Sequence, residues 1–422
     1  MSEKNKENPN ISGEVTPEET SNVSVTRVNT QDIGALLVSL IEKAFEAKSS
    51  DIHIEPTGKH LVIRYRIDGL LREAFYFDKA LEEALLFKIK VEAQIRTDEH
   101  FAPQDGKIRF LIKDTKIDAR ISIIPTTKGE KVVIRLLAQQ GSDLSLEQLG
   151  IVGADLEKVT KSYQKPYGMI LAVGPTGSGK TTTLYTILKN LNSRERNITT
   201  IEDPVEYDID GVNHIQVNTK ANMTFASGLR SILRQDPDIV MVGEIRDTET
   251  ARIAINAAMT GHLVLSTLHT NDSVTTIPRL VDMGIEPYLV ASTVNVIVAQ
   301  RLTRRLCEKC KQKYKLTATE LAHVKKMRPD IGAKFKEGDA LYKKNGCEVC
   351  SNSGYKGRVG LYEVLELTES LRRAISEKAT VDDLFVLARK MGLELIVESG
   401  IEKIKTGLID FDELMRVTTM RE

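Results

Sequence analysis

From residue 33 the spacing of apolar positions follows two successive rhythms. Ile33, Leu36, Leu37, Leu40, Ile41, Ala44 and Phe45 recur at three- and four-residue intervals, which predicts an amphipathic helix entered near Thr30. The stretches "DIHIEP", "HLVIRYRIDGLLREAF", "KIRFLI", "KIDARISIIP" and "KVVIRLL" then alternate apolar with polar residues between Gly, Asp and Pro breaks, as strands of a half-exposed sheet do. A second helix is predicted from Asp78 to about Ile95, so that 30–140 reads as one small α+β domain. Small and polar residues make 141–165 the expected linker. From Pro166 the rhythm changes to short apolar runs, "GMILAVG", "NITTIEDP", "DIVMVGE" and "HLVLSTLH", separated by helical patterns. Such runs predict an α/β domain over 166–306, with a mostly parallel sheet covered on both faces. The cysteines fall in 307–367, and 368–422 reads as helical. The polar, aperiodic residues 1–29 are expected to form a disordered tail.

Composition narrows the field. With 41% hydrophobic residues in 422, the chain can bury more than one core. Lys+Arg and Asp+Glu both total 59, so the basic excess of a nucleic-acid-wrapping protein is absent and no direct nucleic-acid partner is expected. No apolar run approaches the roughly eighteen residues that a membrane span needs, and no signal peptide opens the chain, which makes the cytoplasm the expected compartment.

"GPTGSGKT", Gly174 to Thr181, fits the G-x-x-x-x-G-K-[ST] pattern and lies between the apolar run "MILAV" and the helical pattern "TTTLYTILKNL". Gly174, Pro175, Thr176, Gly177, Ser178, Gly179, Lys180, Thr181 and Thr182 are therefore the candidate nucleotide-binding residues. The glycines let backbone N–H groups wrap a phosphate chain, Lys180 can reach the β- and γ-phosphates, and the Thr181 hydroxyl can ligate Mg²⁺.

Hydrolysis also needs carboxylates and a group that orients water. "DIVMVGEIRD" ends an apolar run in Glu244, and "TTIEDPVEY" offers Glu202, Asp203 and Glu206. A loop carboxylate is as readily a solvated charge, but ligands of open α/β sheets gather beyond the strands' carboxyl ends, where these segments fall. In "TGHLVLSTLHTND" two histidines bracket a predicted strand. Placed at opposite ends of it, His262 and His269 cannot share a metal; His269 suits a neutral sensor of phosphate or water, and His262 either a similar task or a structural cap.

"CEKC" and "CEVC" place Cys307, Cys310, Cys347 and Cys350 in two C-x₂-C knuckles, the pattern of a closed tetrahedral Zn²⁺ site. A redox pair would be expected once, near a helix start.

Taken together, these motifs resemble the secretion ATPase superfamily, specifically the type II secretion and type IV pilus assembly motors. The phosphate loop, "TTIEDPVEY", "LRQDPDIVMVGEIRD" and "TGHLVLSTLHTND" follow in that family's order, while "SSDIHIEP", "IRYRIDGLL", "PQDGKI" and "IPTTKGEKVVIRLL" look like its N-terminal sheet domain. The resemblance implies a RecA-like P-loop ATPase domain preceded by a PAS-like α+β domain, and a homohexamer that hydrolyses ATP with Mg²⁺. It also implies an inner-membrane platform protein as partner, at which the chain sits peripherally on the cytoplasmic face. Glu206 is then expected to polarise the attacking water and Glu244 to organise magnesium, two roles the sequence leaves exchangeable, with Glu202, Lys180 and His269 beside them. Arg66 and Arg135, ahead of Arg64, Arg72 and Arg120, become candidates for clamping phosphates, although each is equally a strand's solvent-facing charge. The two-knuckle insert resembles the assembly and secretion branch; pilus retraction ATPases lack it and carry an "AIRNLI" segment that is not found here. A DNA-uptake or retraction motor and a zinc-containing nucleic-acid module are the competing readings. Many relatives carry a further N-terminal domain ahead of the region matched here, so docking to assembly partners is the feature the resemblance transfers least directly.

Overall fold

The computed structural model describes residues 32–112, 115–137 and 144–418. Residues 1–29, expected as a tail, and the expected cap Thr30 lie outside these. The chain divides into two compact units, Met1–Gln139 and Gln140–Glu422.

In the first unit, helix α1 (Ile33–Glu46) is capped by Asp32, whose Oδ1 accepts from the N–H groups of Gly34 and Ala35 at 2.9 and 3.1 Å. Strands β1 (Ser49–Pro56), β2 (His60–Ile67) and β3 (Leu70–Asp78) precede α2 (Leu81–Glu92), and β4 (Gln104–Ile112), β5 (Thr115–Thr126) and β6 (Gly129–Leu137) follow. They form one antiparallel sheet in the order β3-β2-β1-β6-β5-β4. Alternation sorts its two faces: Ile52, Ile54, Ile63, Ile121, Ile134 and the α1 stripe Leu36, Leu37, Leu40 and Ile41 make the core. The intervening positions Asp51, His53 and Glu55 carry the polar face.

The second unit opens with α3 (Leu146–Leu149) and α4 (Gly153–Tyr163), in the stretch expected to be a linker. Leu146, Ile151 and Val159 are buried in this unit's core, three spaced apolar residues outweighing the small and polar ones between them. The elements of the expected α/β domain are β7 (Gly168–Val173), α5 (Lys180–Leu191), β8 (Ile198–Glu202), β9 (Val212–Gln216), α6 (Phe225–Ile232), β10 (Ile239–Val242), α7 (Thr248–Met259), β11 (Leu263–Leu268), α8 (Thr276–Asp282), α9 (Pro287–Thr293) and β12 (Val294–Leu306). Next come β13 (Gln312–Lys315), α10 (Ala318–Met327), α11 (Pro329–Gly332), β14 (Ala340–Lys343), β15 (Tyr355–Glu366), α12 (Glu369–Ser376), α13 (Val381–Lys390), α14 (Ile396–Lys405) and α15 (Phe411–Thr418).

The seven-stranded sheet runs β15-β12-β7-β11-β10-β8-β9, parallel throughout except for β15, which pairs antiparallel with β12. The expected mixed α/β fold with a mostly parallel sheet is thus present. Its apolar runs exist because both faces are covered: Met169, Leu171 and Val173 of β7 enter one core, Ile170 and Ala172 the other. Since β15 belongs to the main sheet, the cysteine-bearing part is an excursion, 307–354, between two paired strands. The expected helical C-terminal region begins at α12, preceded by Thr368.

Candidate functional site

Four neighbouring parallel strands end within two residues of one another. Val173 pairs with Leu268, Ser266 with Val242, and Val242 with Ile201, so the segments starting at Gly174, His269, Gly243 and Asp203 leave one edge of the sheet together. This edge gathers the candidate residues that the sequence distributes over almost a hundred positions.

The phosphate loop follows β7. Gly174, Gly177 and Gly179 have φ of 143°, 76° and 92°, which side chains other than glycine rarely adopt. A Cβ on Gly174 would also lie 2.5 Å from the Gln300 carbonyl oxygen. Lys180 opens α5, and its Nζ donates to the carbonyl oxygens of Gly174 and Pro175 at 2.9 and 3.1 Å. Burial lowers the Lys180 pKa, opposed by the charge of Glu244 and reinforced by that of Arg301. Ser178 Oγ is buried without a hydrogen-bond partner in the protein, a defect that a phosphate oxygen would repair.

Sequence reasoning missed what seats this loop. Gln300 of β12, 1% exposed, donates through Nε2 to the Ser178 carbonyl at 2.8 Å and accepts the Thr183 hydroxyl at 2.9 Å. Its neighbour Arg301 donates to the Gln300 and Asn271 carbonyls at 3.1 and 2.9 Å, joining the loop that follows His269 to β12. Serine 273 extends that attachment, its N–H and hydroxyl both donating to buried Glu363 of β15. A glutamine closing the buried run "VNVIVAQ" was the available signal.

Glu244, just past β10, lies 2.6 Å from Arg246 Nη2 and 3.4 Å from His269 Nε2. Thr267 spends its hydroxyl on the Gly243 carbonyl at 2.7 Å, tying the ends of β10 and β11. Glu206 is half-buried on the loop after β8, its N–H donating to the Tyr185 hydroxyl at 3.3 Å. Glu202, 2% exposed, faces inward and accepts from Tyr185, Thr200 and His214. His262 lies at the other end of β11, with Nδ1 3.0 Å from the Ala257 carbonyl closing α7.

In the first unit, Asp51 of the central strand holds two of the candidate arginines. Arg135 Nε lies 2.8 Å from Oδ1, and Arg66 Nε 3.5 Å from Oδ2. Arg64 pairs with Glu55 at 2.5 Å.

The four cysteine sulfurs lie within 4.8 Å of one another, with Cys307–Cys347 at 3.9 Å and Cys310–Cys350 at 3.7 Å. A tetrahedron with zinc–sulfur bonds of about 2.3 Å has edges of about 3.8 Å, so this donor set fits Zn²⁺. Burial disfavours the Cys350 thiolate, but the N–H groups of Cys347 and Gly354 outweigh it and bring the thiol to about 6.

The description type II/IV secretion system protein belongs to the family model that matches residues 27–416, and the chain is a member of that family. The type II secretion system protein HxcR of Pseudomonas aeruginosa is 44% identical over 394 residues, 93% of this chain and 79% of its own. The type II secretion system ATPase E of Vibrio cholerae is 44% identical over 383 residues, 91% of this chain and 75% of its own. The solved ATPase DotB of Legionella pneumophila shares the fold at TM-score 0.69 and 20% identity, over 94% of this chain and 99% of that one. The pilus retraction motor PilT with bound ADP matches at TM-score 0.62 and 25% identity, covering 90% and 96%.

Proposed function

We propose that this chain is an ATPase that powers a type II secretion or type IV pilus machine. The observation that carries the reading is the arrival of Lys180, Glu244 and His269 at one edge of one parallel sheet, within a member of the secretion family. Its core is RecA-like and its first unit PAS-like in this reading. The working form is a homohexamer on an inner-membrane platform protein at the cytoplasmic face. No helix among the described residues is long and apolar enough to cross a membrane.

ATP enters with its phosphates on the N–H groups of the loop 174–182. Lys180 exchanges the carbonyls of Gly174 and Pro175 for β- and γ-phosphate oxygens, and Ser178 Oγ gains the partner it lacks. The Thr181 hydroxyl and Glu244 are the residues that would hold Mg²⁺, Glu244 already lying close enough to act on the charge of Lys180. Bound there, the ion would supply charge neutralisation on the phosphates. Glu206 takes a proton from the attacking water, and His269, braced by Glu244, donates toward the γ-phosphate. Arg66 and Arg135, held side by side by Asp51, present paired guanidiniums suited to a polyphosphate. The cysteines hold Zn²⁺ in a structural site.

Phosphate release from ATP, measured on the purified chain with and without DNA and with platform protein added, tests the reading. DNA-independent release abolished by Lys180→Ala and lowered at least tenfold by Glu206→Gln is expected. ATP binding without turnover, platform protein included, overturns it.

A further inference from the structure

The loop between β8 and β9 carries Glu206, and two of its backbone N–H groups are caught by side chains from outside it. The Glu206 N–H donates to the Tyr185 hydroxyl at 3.3 Å, and the Ile209 N–H donates to His214 Nε2 at 3.2 Å. Both captors converge on one buried carboxylate. Tyr185 donates its own proton to Glu202 Oε2 at 2.5 Å, and His214 Nδ1 lies 3.0 Å from Glu202 Oε1. Because Nε2 accepts a backbone N–H, the neutral imidazole carries its proton on Nδ1, where it is shared between Glu202 Oε1 and the Thr200 hydroxyl oxygen 2.9 Å away. Thr200 fills the remaining place with a hydroxyl bond of 2.6 Å to Oε1.

Each member stands on a different element. Glu202 ends β8, His214 lies on the edge strand β9, and Tyr185 stands on α5, the helix that Lys180 begins. Tyr185 is fully buried, and the ring of Tyr207, from the same loop, meets it edge-on at 4.6 Å between centroids. A buried carboxylate with three donors resists rearrangement, because losing any one leaves charge unmatched in a low-dielectric interior.

We propose that Glu202, Tyr185 and His214 are positioning residues that set the backbone of Glu206, and that Tyr185 links this setting to the helix behind the phosphate loop. The proposal rests on the assignment of Glu206 to the attacking water. Glu202 then works by holding other groups in place, its carboxylate already engaged by Tyr185, Thr200 and His214.

Turnover and ATP affinity are measured on the full chain for Glu206→Gln, Tyr185→Phe, their double variant, His214→Gln and His214→Ala. Tyr185→Phe is expected to lower kcat about tenfold and to leave ATP affinity within about twofold of wild type, since the phosphate loop is untouched. The double variant is expected to turn over no more slowly than Glu206→Gln alone, because Tyr185 acts only through Glu206. Glutamine at position 214 can donate to Glu202 and accept from Ile209, so it should keep most of the turnover that alanine loses. Multiplying losses in the double variant overturn the proposal, as does a Tyr185→Phe loss that appears in affinity instead of kcat. If Tyr185→Phe does not fold, the contrast between glutamine and alanine at 214 decides: equal turnover overturns the proposal. Glu206→Gln with full turnover would instead defeat the role of Glu206, whereas loss in Glu206→Gln with none in Tyr185→Phe or His214→Ala defeats the triad alone.

Discussion

His269 Nε2 lies 3.4 Å from Glu244 Oε2, across the gap between the ends of two adjacent parallel strands. Glu244 is largely buried and also faces Arg246, while the imidazole is half-exposed at the edge from which a phosphate would approach. In the mechanism proposed above, Glu244 is the brace and His269 the probing group. Glu244→Gln is expected to lower turnover by about 10²–10⁴ with ATP binding retained, and His269→Ala by about 10–10². Single-turnover kinetics beside equilibrium nucleotide binding separate these outcomes.

Gln300 should matter for binding more than for chemistry. Alanine there strips partners from the Ser178 carbonyl and the Thr183 hydroxyl, both inside the phosphate-loop seat. Leaving such groups unmatched costs about 1–3 kcal/mol, so ATP affinity is expected to fall roughly tenfold, with kcat at saturation changed less. Calorimetric titration with ATP and ADP reads this directly.

Purified protein is expected to hold one zinc per chain, measurable by elemental analysis. Replacing Cys350 by Ser should release it and open the two cysteine knuckles to protease, because the bound metal is what ties 307–310 to 347–350. The parallel sheet should survive, visible as retained nucleotide binding at the phosphate loop.

Acid should loosen the C-terminal helices through Glu413. Burial alone would raise this carboxyl, but Arg416 and Arg304, including the Arg304 N–H, outweigh it and bring it to about 2 from an ordinary 4.5. A group depressed in the folded state contributes fully above about pH 4.5 and loses that contribution as pH falls toward 2. The contribution is on the order of 3 kcal/mol at most. Denaturant unfolding at pH 6, 4 and 3 should show a slope that Glu413→Gln flattens.

Local signals in the sequence specify the phosphate loop, the apolar strand runs, the cysteine spacing and the amphipathic stripe of α1. Each depends on neighbours a few residues apart, where sterics and periodicity act. Gln300, Tyr185 and His214 escaped notice for the opposite reason. Their roles exist only once β12 lies beside β7 and β9 beside β8, pairings between segments distant in the chain. The same holds for Asp51, whose alternation indicated a polar face but not which arginines would stand opposite it. At 146–163, polar composition masked three buried residues, because composition averages over the positions that packing selects.

Leu306 and Tyr355 face each other across β12 and β15, and the whole cysteine excursion departs and returns between them. Topologically it is the tip of a hairpin. Chain inserted at such a point costs closure entropy that grows only logarithmically with length and disturbs no strand order. The strand order is therefore indifferent to the length of this appendage, and what anchors it is its own packing, Phe335 against Phe411 of α15 among the contacts.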